Sequence, residues 1–209
     1  MAFPQAWEEV CFVTISKFAD LTDTTIEAAA MTESVDISQG NYPGESIPNI
    51  AGGRVWHQSP EEDGEITIEF YPTDISVASN TGLFQFFAGG DVSSSDPLAT
   101  DVTWGSGVDR TRDRFRVAIM WTDDAAVTSA ESATSSTDSV ALRFAAMGCR
   151  LISHKASFTD GVLKVSATFK FPAMNVDGDV KMWRWESTND GDTSIMSALV
   201  DYDDDDSWT

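Results

Sequence analysis

The chain has 209 residues, 42% of them apolar and 11% aromatic, enough to bury a core and to exclude wholesale disorder. Its 34 acidic residues against 13 basic ones leave a net charge of −21, which argues against a surface built to hold phosphate through clustered Lys and Arg. Two cysteines make no disulfide framework and no metal-knuckle spacing, and no apolar run approaches the ~20 residues of a membrane-spanning helix. Residues Met1 to Glu9 contain no basic stretch followed by an apolar one, so a protein made and used without export is expected.

Taken in chain order, period-2 alternation dominates. Val10 to Lys17 is rich in β-branched and aromatic residues and reads as a strand. Thr24 to Ile37 is extended, although Ala28, Ala29 and Ala30 leave a helix open. Gln39 to Gly53 reads as a long loop, with Gly, Asn and Pro at nearly every turn. In Glu65 to Phe70, Ile66, Ile68 and Phe70 point one way and Glu65, Thr67 and Glu69 the other. Thr81 to Ala88, ended by Gly89 and Gly90, is the best short helix. Phe115, Val117, Ile119 and Trp121 share one face of a further strand. Ala125 to Ser139 is a second long loop, rich in Ser, Thr and Ala with little apolar anchoring. Asp138 to Met147 is either helix or strand. Cys149 to Phe158 and Val162 to Phe171 form a long hairpin about Asp160-Gly161, a pair suited to the positive φ of a tight turn. Asp177-Gly178 makes another turn, leading into Lys181 to Glu186 with Trp183 and Trp185 on one face. The expected fold is mainly β: one β-sandwich or barrel-like domain over 1–209, with long hairpins, one short flanking helix, and an acidic tail at 201–209.

Catalysis needs a nucleophile, a base and an orienting group. His57 and His154 sit in no known motif, and Cys149 in an apolar strand reads as a small core residue. The stretch Asn175 to Asp179, with Glu186 further on, has the texture of a calcium loop, but its glycine falls at the fourth position and not the sixth, so a hairpin turn is favoured. No enzyme activity, cofactor or metal is expected. Arg110, Arg112, Arg114 and Arg116 alternate and hold half the arginines of the chain. In a strand all four project from one face. They read as a solvated face with local acids, as a subunit interface meeting a neighbour's carboxylates, or, least favoured, as a DNA-binding strand, and the interface is preferred. The acids are spread along the whole chain, with aspartate outnumbering glutamate and arginine outnumbering lysine. Screening by molar salt would suit such a surface, so a halophilic protein is expected.

The series Met31-Thr32-Glu33-Ser34-Val35-Asp36-Ile37, a Gly-rich loop, Gly52-Gly53-Arg54, and then Glu62 through Asp74 with its Glu65-Ile66-Thr67 strand and Tyr71-Pro72-Thr73-Asp74 end resembles the major tail tube proteins of tailed viruses. The hairpin over Ala145 to Ala173 also resembles that family's second long hairpin. With the acidic composition, the closest texture is that of tube proteins from viruses of halophilic archaea. The resemblance covers about two thirds of the chain and implies a homo-oligomer of hexameric rings, stacked into a hollow tube that conducts the genome. It implies partners such as the tape measure, terminator and baseplate proteins, transient non-specific passage of viral DNA, and no membrane. The implied location is the virion tail, after assembly in the host cytoplasm. Thr24 to Ile37 suits a strand of a lumenal barrel, with Glu27, Glu33 or Asp36 supplying negative potential. Its parity is open, since a one-residue shift exchanges the faces. A capsid-decoration or other virion structural protein, and a haloarchaeal surface or binding domain, are the alternatives.

Overall fold

The computed structural model describes residues 10–19, 24–71, 114–135, 140–188, 195–200, 202 and 208. Its strands are β1 (Val10–Ala19), β2 (Thr24–Ser38), β3 (Gly44–Pro48), β4 (Arg54–Gln58), β5 (Gly64–Tyr71), β6 (Phe115–Thr122), β7 (Ala141–Thr159), β8 (Val162–Phe171) and β9 (Trp183–Ser187). The expected mainly β fold is borne out in its barrel-like form. One seven-stranded antiparallel sheet runs β6-β1-β2-β5-β8-β7-β9, and β7 also pairs with β6, so the sheet curls back on itself. The short helix expected over Thr81 to Ala88 lies outside the described residues.

Alternation decides which side of the curl each residue takes. Ile66, Ile68 and Phe70 of β5 are fully buried, as are Val117 and Ile119 of β6 and Phe169 and Phe171 of β8. Together with Phe115 and Phe144 they form the inner core, against which Trp121 packs from one edge. Phe144 contacts the rings of Phe171, Trp183 and Trp185, which explains why the two tryptophans of β9 share a face. Gly64 opens β5 where a Cβ would stand 2.1 Å from the Phe171 ring, so this close approach requires glycine.

The ambiguous segments resolve to strand. β2 pairs with β1 through Ala28, Ala29 and Ala30, so ladder bonds override helix propensity there. The stretch from Ala141 enters β7, whose first half pairs with β6 and β9 and whose second half pairs with β8. The β7–β8 hairpin turns at Asp160 (φ 54) and Gly161 (φ 78), the two positive-φ residues its tight turn needs. The Asn175 loop likewise turns at Gly178 (φ 76), between the bridged residues Met174 and Lys181.

Two expected loops differ from expectation. Within 39–53, β3 forms, and it pairs with β4 as a separate two-stranded hairpin. Every residue of both strands is exposed, so no hydrophobic alternation marks them and only their turn residues stand out in the sequence. The described part of 125–139 is anchored, not open. Val127 and Ala130, with Met196 and Leu199, cover the outer face of β6 and β7 at Ala118, Met120, Ala141 and Ala145.

Candidate functional site

Outside the curl, β2, β5 and β8 present a face made of hydroxyls and charges. Its ladder positions join Asp36 to Thr67 and Thr67 to Thr168, and the two threonine hydroxyls lie 3.3 Å apart. A β-bulge between Thr32 and Ser34 inserts Glu33 and shifts the parity of β2. Val35 and Ile37 consequently turn inward against the core, a greasy face not credited to this strand from its sequence. Glu33 turns outward, where Lys164 Nζ lies 2.7 Å from its carboxylate and 3.0 Å from that of Glu69. The Ser34 hydroxyl donates to Glu69 at 3.2 Å. Hydrogen bonds to Lys164 and Tyr71 hold the Glu33 carboxyl below its ordinary value, while bonds to Glu33 and then Glu69 push Lys164 up. Asp36 is exposed on the same face, and Glu27 occupies the β2 position opposite Ser16 of β1. A surface of this kind stays hydrated and offers phosphate no continuous basic track.

The β3–β4 hairpin projects from the sheet yet is firmly rooted. Glu61 is only 6% exposed, accepts from Trp183 Nε1 at 3.2 Å and from the Tyr42 hydroxyl, and lies 3.3 Å from Lys181 Nζ. Backbone bonds from Glu62 to Asn41 and from Ser59 to Pro43 close the base. At the tip the Asn49 side-chain oxygen accepts from the amides of Ala51 and Gly53, fixing the turn. Between root and tip the arm exposes Ile47, Val55 and Trp56, with Ile50 fully exposed at the turn. Apolar side chains gathered on an exposed hairpin make it a candidate contact surface. The tip of the β7–β8 hairpin is a second such place, with Phe158 73% exposed and Val162 beside the turn.

The arginine series divides. Arg110 and Arg112 lie outside the described residues. Arg114, just before β6, borders an open cleft beside β7 and β8. Arg116 is fully buried, and its Nε donates to Glu131 at 2.8 Å, within the same chain. The Ser16 hydroxyl donates to that same oxygen at 2.6 Å, and the guanidinium lies 5.7 Å from the Tyr202 ring centre. Arg143, not singled out from the sequence, is 1% exposed and joins three segments. It donates to Glu186, to the Ser132 carbonyl and to the Ser197 carbonyl. Arg116 and Arg143 thus pin the loop after β6, and Arg143 also the segment at 195–200, onto the sheet. An arginine among Ala141, Ala145 and Met147 on one strand face was the available sign that this face is buried.

Reactive groups are in quiet settings. Burial pushes the Cys11 thiol up to about 11 and the fully buried Cys149 higher still, so neither is a thiolate at neutral pH. His57 lies on the exposed arm opposite Glu45 in the ladder. In the Asn175 loop, the Asn175 side-chain oxygen accepts from the amides of Asp179 and Val180, while its amide nitrogen donates to the Asp179 carboxylate. Its polar groups therefore serve the turn. Among the described residues no group of three or more His, Cys, Asp and Glu side chains is placed to hold a metal ion.

No family model and no curated protein matches the sequence. Solved structures of low similarity do. The PVC sheath/tube terminator of an extracellular contractile injection system, in its extended state, is 13% identical over 89% of this chain and 97% of its own, with a TM-score of 0.46. The anti-feeding prophage cap is 8% identical over 90% and 93%, with a TM-score of 0.47. An Hcp protein is 7% identical over 84% and 97%, with a TM-score of 0.38. Likenesses of this size assign no function.

Proposed function

We propose that this chain is a structural subunit of a virion, a single tail-tube-like β-domain that self-assembles into stacked hexameric rings. The rings form the hollow conduit through which a viral genome is delivered. The rooted β3–β4 arm carries this reading: it spends apolar residues on solvent in a chain otherwise guarded by acid, which is reasonable only if a neighbour covers them. The polar outer face of β2, β5 and β8 supplies a second element, a wall along which DNA slides without sticking. On this reading, Glu33 and Asp36, with Glu27, border the channel. The tube's partners are the tape measure, terminator and baseplate proteins, and assembly in the host cytoplasm precedes incorporation in the tail.

The charge of −21 makes assembly depend on screening. Purified protein imaged by electron microscopy in molar NaCl is expected to form rings or open-ended tubes. Lowering the salt to about 0.1 M, where the screening length reaches ~10 Å, is expected to disperse them. Closed shells or a decorated lattice would favour a capsid role. Monomers at every salt concentration would end the tube reading.

A further inference from the structure

An open cleft of about 540 Å³ lies where the end of β8 meets the bend of β7. Arg114, Arg150 and Lys170 line it, and among the described residues Asp63 is the one acid that does. Three basic side chains gathered at one place are unexpected in a chain carrying −21. Its geometry is more unexpected still. Arg150 and Lys170 are directly opposed across the β7–β8 ladder, a placement in which like charges repel. Lys170 also faces Glu65 across the β5–β8 ladder and has the Asp63 carboxylate 3.6 Å away, so its own charge is offset by two exposed acids and Arg150 is the group left to be met. Among the described residues Arg150 has no carboxylate partner at all. A carboxylate entering the cleft would pair with Arg150 and lessen its repulsion with Lys170.

We propose that this cleft receives carboxylates from a second copy of the chain, as a specific contact between subunits of the tube, and this rests on the tube reading above. Protein fits better than nucleic acid for two reasons. A duplex needs an extended basic track along its phosphates, and this cleft is a single pocket. Its rim is also apolar: Val176 is fully exposed and Met174 partly so, which suits a protein surface packing around a central ion pair. Two copies that repel at long range meet where the sign of the potential inverts, so the cleft would fix register as well as affinity.

Sedimentation velocity in molar NaCl tests this with Arg150→Glu and Lys155→Glu, which alter one strand by the same charge at exposed positions inside and outside the cleft. Arg150→Glu is expected to weaken self-association by about tenfold or more. Lys155→Glu is expected to weaken it by about twofold at most. Circular dichroism checks the fold, and should Arg150→Glu not fold, Arg150→Gln replaces it with a loss of about threefold expected. Equal weakening by the Glu variants at 150 and 155 would reduce the effect to general charge and overturn the proposal. Unchanged association of the Arg150 variant would overturn the cleft contact while leaving the tube intact. A wild-type protein that never associates would overturn both. Retention of a fluorescein-labelled 20-base-pair duplex, about 20 being an ample site length, by wild type and its loss in the Arg150 variant would assign the cleft to DNA and overturn the proposal.

Discussion

The two sides of the curled sheet share one antiparallel ladder and differ in what covers their outer faces. Around β6 and the first half of β7 the outer face carries Ala118, Met120, Ala141 and Ala145, and the segments at 127–130 and 196–199 bury it. Around β2, β5 and β8 the outer positions are Asp36, Thr67, Glu69 and Lys164, and none of these is fully buried. The contrast extends to charge. Arg116 and Arg143 sit inside the covered half and have carboxylates to match, whereas the Glu33–Lys164–Glu69 group lies in water. Identical ion-pair chemistry is therefore a structural pin on one side and a surface device on the other, because desolvation makes a buried charge costly once its partner is lost.

Removing the partner from each half gives the largest separation. Glu131→Ala strands the Arg116 guanidinium, two of whose nitrogens already lack a hydrogen-bond partner among the described residues. It is expected to cost about 3–5 kcal/mol in urea unfolding. Glu69→Ala on the open face is expected to leave the urea midpoint nearly unmoved. Equal effects would erase the distinction between the halves.

A second pair of substitutions sharpens it within one strand. Ile68→Ala empties a fully buried site and is expected to cost about 2–5 kcal/mol. Its neighbour Thr67→Ala, on the outer face, is expected to stay within ~0.5 kcal/mol, apart from the small contribution of its contact with Thr168. Trp56→Ser on the arm is likewise expected to leave monomer stability within ~0.5 kcal/mol, since the ring is 64% exposed, while abolishing tubes. Monomer destabilisation by this variant would mean that the arm serves its own chain.

The smallest effect is electrostatic. The Glu33 carboxyl is lowered by Lys164 and Tyr71, so its contribution is present above 4.5, its ordinary value, and fades as pH falls through the depressed one. Lys164 is raised, so its contribution is complete below 10.5 and fades as pH climbs past that value. Carboxyl resonances followed by NMR are expected to place the Glu33 midpoint below 4.5, and Lys164→Met to return it toward that value. A midpoint unchanged by Lys164→Met would remove the outward placement of Glu33.

The sequence made the inner core legible because its strands alternate cleanly: Ile66, Ile68 and Phe70, and Phe115 through Trp121, all fall where period 2 puts them. The Asp160-Gly161 turn was equally plain, since its chemistry is local. What escaped was long-range or unpatterned. Nothing near Arg116 in the sequence announces that Glu131 will reach it, and in a series of alternating arginines its burial had no local sign. The bulge at Glu33 reverses parity within β2 without altering its composition. The β3–β4 arm, exposed on both faces, lacks any alternation to read.

The central claim is that the uncovered half of the sheet is a channel wall. A helical reconstruction of tubes assembled in molar salt measures this directly. The account expects the outer face of β2, β5 and β8 on the bore, with the Glu33 and Asp36 carboxylates bordering it and the β3–β4 arm buried against a neighbouring copy. Tubes in which that face lies on the outside, with neither carboxylate at the channel, would contradict it.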